Sequence, residues 1–238
     1  VDKSFLKSSG VVTIMTFISR ILGLIRDYIV ARYFGANGLT DAFLVAFKIP
    51  NFLRRLFGEG AFSQAFVPIL ADAKANHSEA EVQNIINHIG TKFLTTLIVL
   101  TLIAVIIAPA IIFVFAWGFY FDADPTKFNL ATDMLRITFP YLLLISLTAF
   151  AGSILNTYDK FSIPAFTPVL LNISMILCAV YLSGNLDTPI MALAWGVLIG
   201  GVVQLLFQIP FLIKIKKMPR LVKGDHQAVK TLKKRLIP

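Results

Sequence analysis

The chain has 238 residues, 57% of them hydrophobic and only 15% charged, with a formal net charge of +9 and a mean hydropathy of +0.77. A soluble domain of that length has no interior large enough for so much apolar side chain, whereas a bilayer supplies one, so the composition excludes an ordinary water-soluble fold. The one cysteine, Cys178, lies in an apolar run and reads as a small packed hydrophobe, and His77, His88 and His226 share no metal-ligand spacing, so neither a disulfide nor a metal site is expected.

Residues 10–34 are long enough to cross the hydrocarbon layer but contain Arg20, Arg26, Asp27 and Arg32. Those charges, and the lack of a small-residue cleavage site after a compact apolar core, predict an uncleaved signal-anchor. Gly35-Ala36-Asn37-Gly38 is expected to end this helix, and Thr40 or Asp41 to cap the next. That second helix starts at residue 40 and carries Asp41, Lys48, Arg54 and Arg55 around Pro50. Residues 59–75 are too short and mixed to span alone. They read as its kinked continuation, bent near Gly58–Gly60 and at Pro68, which gives one polar span over 40–75.

Four cleaner spans follow at 93–118, 131–155, 163–183 and 189–213, the fourth in chain order being almost wholly apolar from residue 137 onward. Asp122-Ala123-Asp124-Pro125 and Ser183-Gly184-Asn185 break the chain between them. The fold predicted is all-α: a polytopic membrane bundle of six transmembrane helices within 1–218, then a basic cytoplasmic linker over 219–238. With the N-terminus in the cytoplasm, fourteen Lys and Arg fall in cytoplasmic stretches and only Lys127 on the opposite side, as the positive-inside rule requires. The basic balance is thus a topological signal, and no nucleic-acid partner is expected.

A charge near the bilayer centre costs about 2.5–3.5 kcal/mol on insertion scales. Arg20 and Arg26 sit near the middle of the first span, while Arg32 is close enough to its outer end to snorkel. Asp27 follows Arg20 by seven residues, so the two project within about 20° of each other. Asp41 and Lys48 repeat that spacing, and Pro50 then resets the phase, leaving the facing of Arg54 and Arg55 open. One reading is that these ions pair and hold the bundle together. Against it, Arg20, Arg26, Lys48, Arg54 and Arg55 outnumber Asp27 and Asp41, and Glu59 reduces that excess without cancelling it. An excess of buried cations fits a water-filled cavity that receives an anion, and arginine's planar fork suits phosphate.

On the later spans Asn156, Asn172, Gln204 and Gln208 are expected to form interhelical hydrogen bonds, and Gly196, Gly200 and Gly201 to allow close helix packing. Pro140, Pro164 and Pro168 are expected to start or kink helices. There is no phosphate-binding Gly-rich loop ending in Lys-Ser/Thr, no nucleophile elbow and no HExxH, so neither an enzyme nor a cofactor is expected.

Residues 19–74, SRILGLIRDYIVARYFGANGLTDAFLVAFKIPNFLRRLFGEGAFSQAFVPILADAK, resemble the amino-terminal region of the MurJ/MviN family of bacterial lipid II flippases. ITFPYLLLISL (137–147), ILNTYDKFSIPAF (154–166) and PVLLNISMI (168–176) resemble the same family in the same order. The resemblance implies one lobe of a two-lobe transporter of the multidrug/oligosaccharidyl-lipid/polysaccharide exporter superfamily, in the bacterial inner membrane, whose second lobe lies beyond this chain. It implies a lipid-linked substrate, the undecaprenyl-pyrophosphate-linked cell-wall precursor, carried from the cytoplasmic to the periplasmic leaflet by alternating access. It further implies that Arg20, Arg26 and Arg54 line the pyrophosphate cavity and that Asp27, Asp41 and Glu59 belong to a polar network near the gate. Two rivals stand beside this: a drug or cation exporter of the same superfamily, in which acids would dominate the cavity, and a non-transporting truncated fragment.

Overall fold

The computed structural model describes residues 3–55, 62–122, 125–224 and 226–236, and these are helical with no strand among them. The first helix, α1 (Lys3–Phe34), ends where Gly35 turns left-handed at φ +70°. α2 (Gly38–Arg54) is capped by Asn37, whose side chain accepts from the Leu39 and Thr40 N–H groups. The cap is therefore neither Thr40 nor Asp41, because the helix already opens at Gly38. The Thr40 hydroxyl donates back to Gly35 O at 2.8 Å instead. α3 (Phe62–Asn76) runs through Pro68 without ending. The expected bend at Gly58–Gly60 lies outside the described residues.

α4 (Glu79–Ile106) begins fourteen residues before the expected 93, with the Ser78 hydroxyl accepting from Glu81 N–H and Glu79 and Glu81 in its first turn. A break at Ile107 separates it from α5 (Ala108–Phe115), which starts with Pro109 in its first turn and is followed by α6 (Trp117–Tyr120). α7 (Thr126–Thr138) and α8 (Pro140–Thr157) form one rod interrupted at Pro140, which has no N–H to donate. The Thr138 hydroxyl donates to Ala46 O at 3.0 Å and ties that interruption to α2. α9 (Ser162–Leu177) continues as a π-helical turn over Cys178–Leu182 and a short 3₁₀ turn. α10 (Met191–Lys214) follows, and α11 (Gln227–Leu236) forms within the basic stretch read as a linker.

Four segments, Glu79–Ile106, Thr126–Thr157, Ser162–Asn185 and Met191–Lys214, are long and apolar enough to cross a membrane. Two cores hold them together. One joins α2, α7, α8 and α10 through Phe43, Leu135, Tyr141 and Val197. The other joins α3, α4 and α8 around Phe62, Phe66, Ile86 and Phe150, and buries Val229 and Leu232 of α11.

Glycine sets the α9–α10 approach. A Cβ at Gly196 would lie 3.0 Å from Met175 Cα, and one at Gly200 would lie 2.7 Å from Leu171 Cδ1. In lipid, where apolar surface gains little from leaving its surroundings, such close packing is the main source of helix association. Gln204 Nε2 adds a bond to Thr167 O at 2.8 Å, as expected of an interhelical polar residue. Gln208 is buried, but neither end of its amide has a partner among the described residues. Asn156 differs from expectation more simply: it sits exposed in the last turn of α8.

Candidate functional site

α1 packs along α9. Its half-buried residues Val12, Met15, Ser19, Gly23, Arg26 and Val30 recur every three or four positions, the period of one helix face. At the middle of that stripe Gly23 lacks a side chain, and Asn172 of α9 fills the space, its Nδ2 lying 3.9 Å from where a Cβ would be. Asn172, only 6% exposed, donates from Nδ2 to Ser19 O at 3.0 Å. Its Oδ1 accepts from Arg26 Nη1 at 2.9 Å. The amide therefore joins the two helices and orients a guanidinium in the same contact.

Asp27 takes the Nε side of the Arg26 fork. Nη2 and Nε donate to Asp27 Oδ1 at 2.7 and 3.0 Å. Arg20 and Asp27 share a face but not a bond. Seven residues separate them by about 10 Å along the axis, while the Arg26 fork is adjacent. Arg20 itself is exposed, with no side-chain hydrogen bond or ion pair among the described residues. It stands on an exposed side of α1, with Phe17 64% and Leu24 71% exposed.

On α2, Arg54 is half-buried and its Nε donates to Asn51 Oδ1 at 3.0 Å. Lys48 and Arg55 are exposed without a side-chain partner among the described residues. Asp41, likewise exposed, lies in the first turn of α2, where a carboxylate complements the helix N-terminus. Glu59 lies outside the described residues. Of the six residues singled out from sequence, the structure thus joins Arg26 to Asp27, adds Asn172, and leaves Arg20 and Asp41 exposed. The signal for Asn172 was an amide on an otherwise lipid-compatible helix, but nothing in the spacing tied it to Arg26.

A second polar cluster closes the end of the bundle where α3 meets α4. Lys217, 4% exposed, pairs with the Glu79 carboxylate and donates to Glu79 O at 3.2 Å. Lys74 donates to Thr157 O at 2.7 Å and stands 4.7 Å over the Tyr158 ring. Burial raises the Tyr158 phenol pKa above its ordinary value. No group of three or more His, Cys, Asp or Glu placed to hold a metal occurs among the described residues.

α1 and α2 each carry more guanidinium and ammonium groups than carboxylates, and the Arg26 fork is oriented by Asp27 and Asn172. Such cations can take an anion with several oxygens, and the Arg26 fork is already preset in direction.

Residues 30–238 match the family model described as lipid II flippase MurJ. The chain is 49% identical over 219 residues to a probable lipid II flippase MurJ of Vibrio cholerae serotype O1, covering 90% of this chain and 42% of that protein. It is 44% identical over 228 residues to the lipid II flippase MurJ of Burkholderia cenocepacia, covering 94% and 44%. A solved structure of lipid II flippase MurJ in an inward closed conformation matches with a TM-score of 0.76 at 33% identity, over 95% of this chain and 46% of that one. A MOP superfamily transporter from Pyrococcus furiosus Vc1 shares the fold, with a TM-score of 0.71 at 14% identity over 97% and 51%. The chain spans less than half the length of these two curated relatives.

Proposed function

The chain belongs to the lipid II flippase MurJ family, and from that premise we propose that it is the amino-terminal lobe of a flippase carrying the undecaprenyl-pyrophosphate-linked peptidoglycan precursor across the bacterial inner membrane. In this reading the lobe crosses six times, α1 and α2–α3 joining the four apolar segments, with the N-terminus in the cytoplasm. Arg20, Arg26 and Arg54 receive the pyrophosphate, and Asp27, Asp41 and Glu59 form the polar network near the gate. A second lobe supplies the facing wall, and rocking of the two lobes exposes the cavity to one leaflet and then the other.

The observation that carries this reading is Arg20, exposed on α1 and without a side-chain partner among the described residues. In a dry bilayer an unpaired guanidinium is costly, whereas in a water-filled cavity it stays hydrated until a phosphate replaces the water. The same residue speaks against a cation exporter. Asp27, the nearest acid in sequence, is already engaged by Arg26, so the excess charge on that face is positive.

The test places this chain in the matching region of the Burkholderia cenocepacia relative, in cells that depend on that protein. Arg20→Ala, Arg26→Ala and Arg54→Ala are each expected to lower lipid II delivered to the outer leaflet about tenfold or more, since each removes charge-assisted bonds of ~1.5–3 kcal/mol. Undiminished delivery by the triple variant, or tighter binding of a cationic dye than of an undecaprenyl-pyrophosphate lipid, overturns the reading.

A further inference from the structure

After α10 ends at Lys214, Lys216 takes a left-handed turn at φ +57° and sends the chain back along α4. Every second residue of this strap is then bonded to every fourth residue of α4. Gln83 Nε2 donates to Met218 O at 2.9 Å, Arg220 N–H to Asn87 Oδ1 at 2.8 Å, and Val222 N–H to Thr91 Oγ1 at 3.1 Å. The two repeats match because two extended residues advance about 6.6 Å and four helical ones about 6 Å. Three polar backbone groups of the strap are thereby satisfied by α4, which helps irregular chain lie against the ends of membrane-crossing helices.

Beneath the strap is an apolar slot of ≈ 240 Å³ whose walls include Leu94 of α4, Leu147 and Phe150 of α8, and Leu205 and Ile209 of α10. Arg220 is the one charged residue among those lining it. The same Arg220 also lines an adjoining cavity of ≈ 490 Å³ together with Lys216. Both are exposed, and neither has a side-chain partner among the described residues. The slot is smaller than the ~300–1,000 Å³ of pockets for compact drug-sized ligands and suits a slender chain.

From this juxtaposition we propose that the chain binds an anionic phospholipid, one acyl chain in the slot between α4, α8 and α10 and the phosphate on Arg220 and Lys216 at its mouth. The apolar walls belong to three of the segments fit to cross a membrane, so the slot lies within reach of lipid tails. Two cations at one end of it, without a side-chain partner among the described residues, complement a headgroup with net negative charge. A zwitterionic headgroup brings its own ammonium and gains less there. The site rests on the membrane placement of α4, α8 and α10, not on the flippase reading, and uses none of the residues assigned to the pyrophosphate cavity.

The test is native mass spectrometry of the full chain released from nanodiscs containing equal phosphatidylglycerol and phosphatidylcholine. Wild type is expected to retain phosphatidylglycerol several-fold over phosphatidylcholine. The double variant Lys216→Gln, Arg220→Gln is expected to lose that preference. Lys214→Gln with Lys223→Gln, which removes the same charge outside the two cavities, is expected to keep it. Leu94→Trp, which fills the slot, is expected to lower retention of both lipids while the unfolding temperature stays near wild type. Equal retention of the two lipids by wild type, equal loss in both double variants, or displacement of the lipid by millimolar inorganic phosphate overturns the proposal.

Discussion

Arg26 of α1 and Asn172 of α9 meet at 2.9 Å, and the same amide reaches back to Ser19 O at 3.0 Å, so one side chain both fastens α1 to the bundle and aims a guanidinium. Interhelical polar bonds in membrane proteins contribute on average about 0.6 kcal/mol and at most about 1.7. Asn172→Leu removes two of them and is expected to destabilise the lobe by about 1 kcal/mol, read as a lower unfolding midpoint in mixed micelles. If the midpoint is unchanged, α1 is held by its remaining contacts with α9.

The two central arginines differ in what a lysine can replace. Arg20 has no side-chain partner among the described residues, so a point charge at its position keeps part of its role. Arg26 directs Nε, Nη1 and Nη2 to Asp27 and Asn172 and keeps further N–H groups for a phosphate, whereas a single ammonium, with fewer donors, cannot hold both and still face a phosphate. Arg26→Lys is therefore expected to impair lipid II delivery about tenfold more than Arg20→Lys, one lost charge-assisted bond being worth ~1.5–3 kcal/mol. Equal effects from the two lysine variants would show that the Asn172 contact has no part in function.

The parts of this arrangement that run length and composition could reveal were legible in the chain. The four apolar segments, the break at Gly35–Gly38 and the close packing at Gly196, Gly200 and Gly201 follow from hydropathy and missing side chains. The start of α4 at Glu79 is hidden from hydropathy, because Glu79, Glu81, Gln83 and Asn87 dilute it over the first turns. The helix signal there lay in Val82, Ile85, Ile86 and Ile89, spaced to face one core. α11 was hidden in the same way by its lysines, although Val229 and Leu232 already stood three apart. Pairing was the least legible level. Seven-residue spacing put Arg20 and Asp27 on one face, but which cation reaches a carboxylate depends on side-chain reach rather than on phase. Lys217 looked like one loop cation among many until the fold buried it against Glu79.

The glycine seam between α9 and α10 makes a prediction about backbone approach. A Cβ at Gly196 would sit 3.0 Å from Met175 Cα and 3.1 Å from Cys178 Cβ, and a backbone atom cannot swing aside. Gly196→Val is expected to push the two helices apart and cost about 1–3 kcal/mol, the usual range for overpacking. Gly118→Ala is the matched control, since nothing lies within 4 Å of a Cβ there. Thermal unfolding of both variants in the same detergent checks the difference.

The strap depends most on Asn87, whose single oxygen accepts from both Gln83 Nε2 and Arg220 N–H at 2.8 Å. Replacing it by leucine leaves the Arg220 amide without its acceptor and removes the middle rung between Met218 and Val222. A donor left unsatisfied costs about 1–3 kcal/mol, which here falls on local opening rather than on the whole lobe. Asn87→Leu is expected to speed tryptic cleavage after Arg220 by roughly 5–30-fold, the factor that one to two kcal/mol brings to a closed–open equilibrium. Asn84→Leu, altering an exposed amide one turn away, is expected to leave the rate unchanged. Because the strap roofs the slot, Asn87→Leu is also expected to weaken phosphatidylglycerol retention while Arg220 and Lys216 are intact. Faster cleavage with undiminished retention would mean that the lipid is held by the helices and not by the strap.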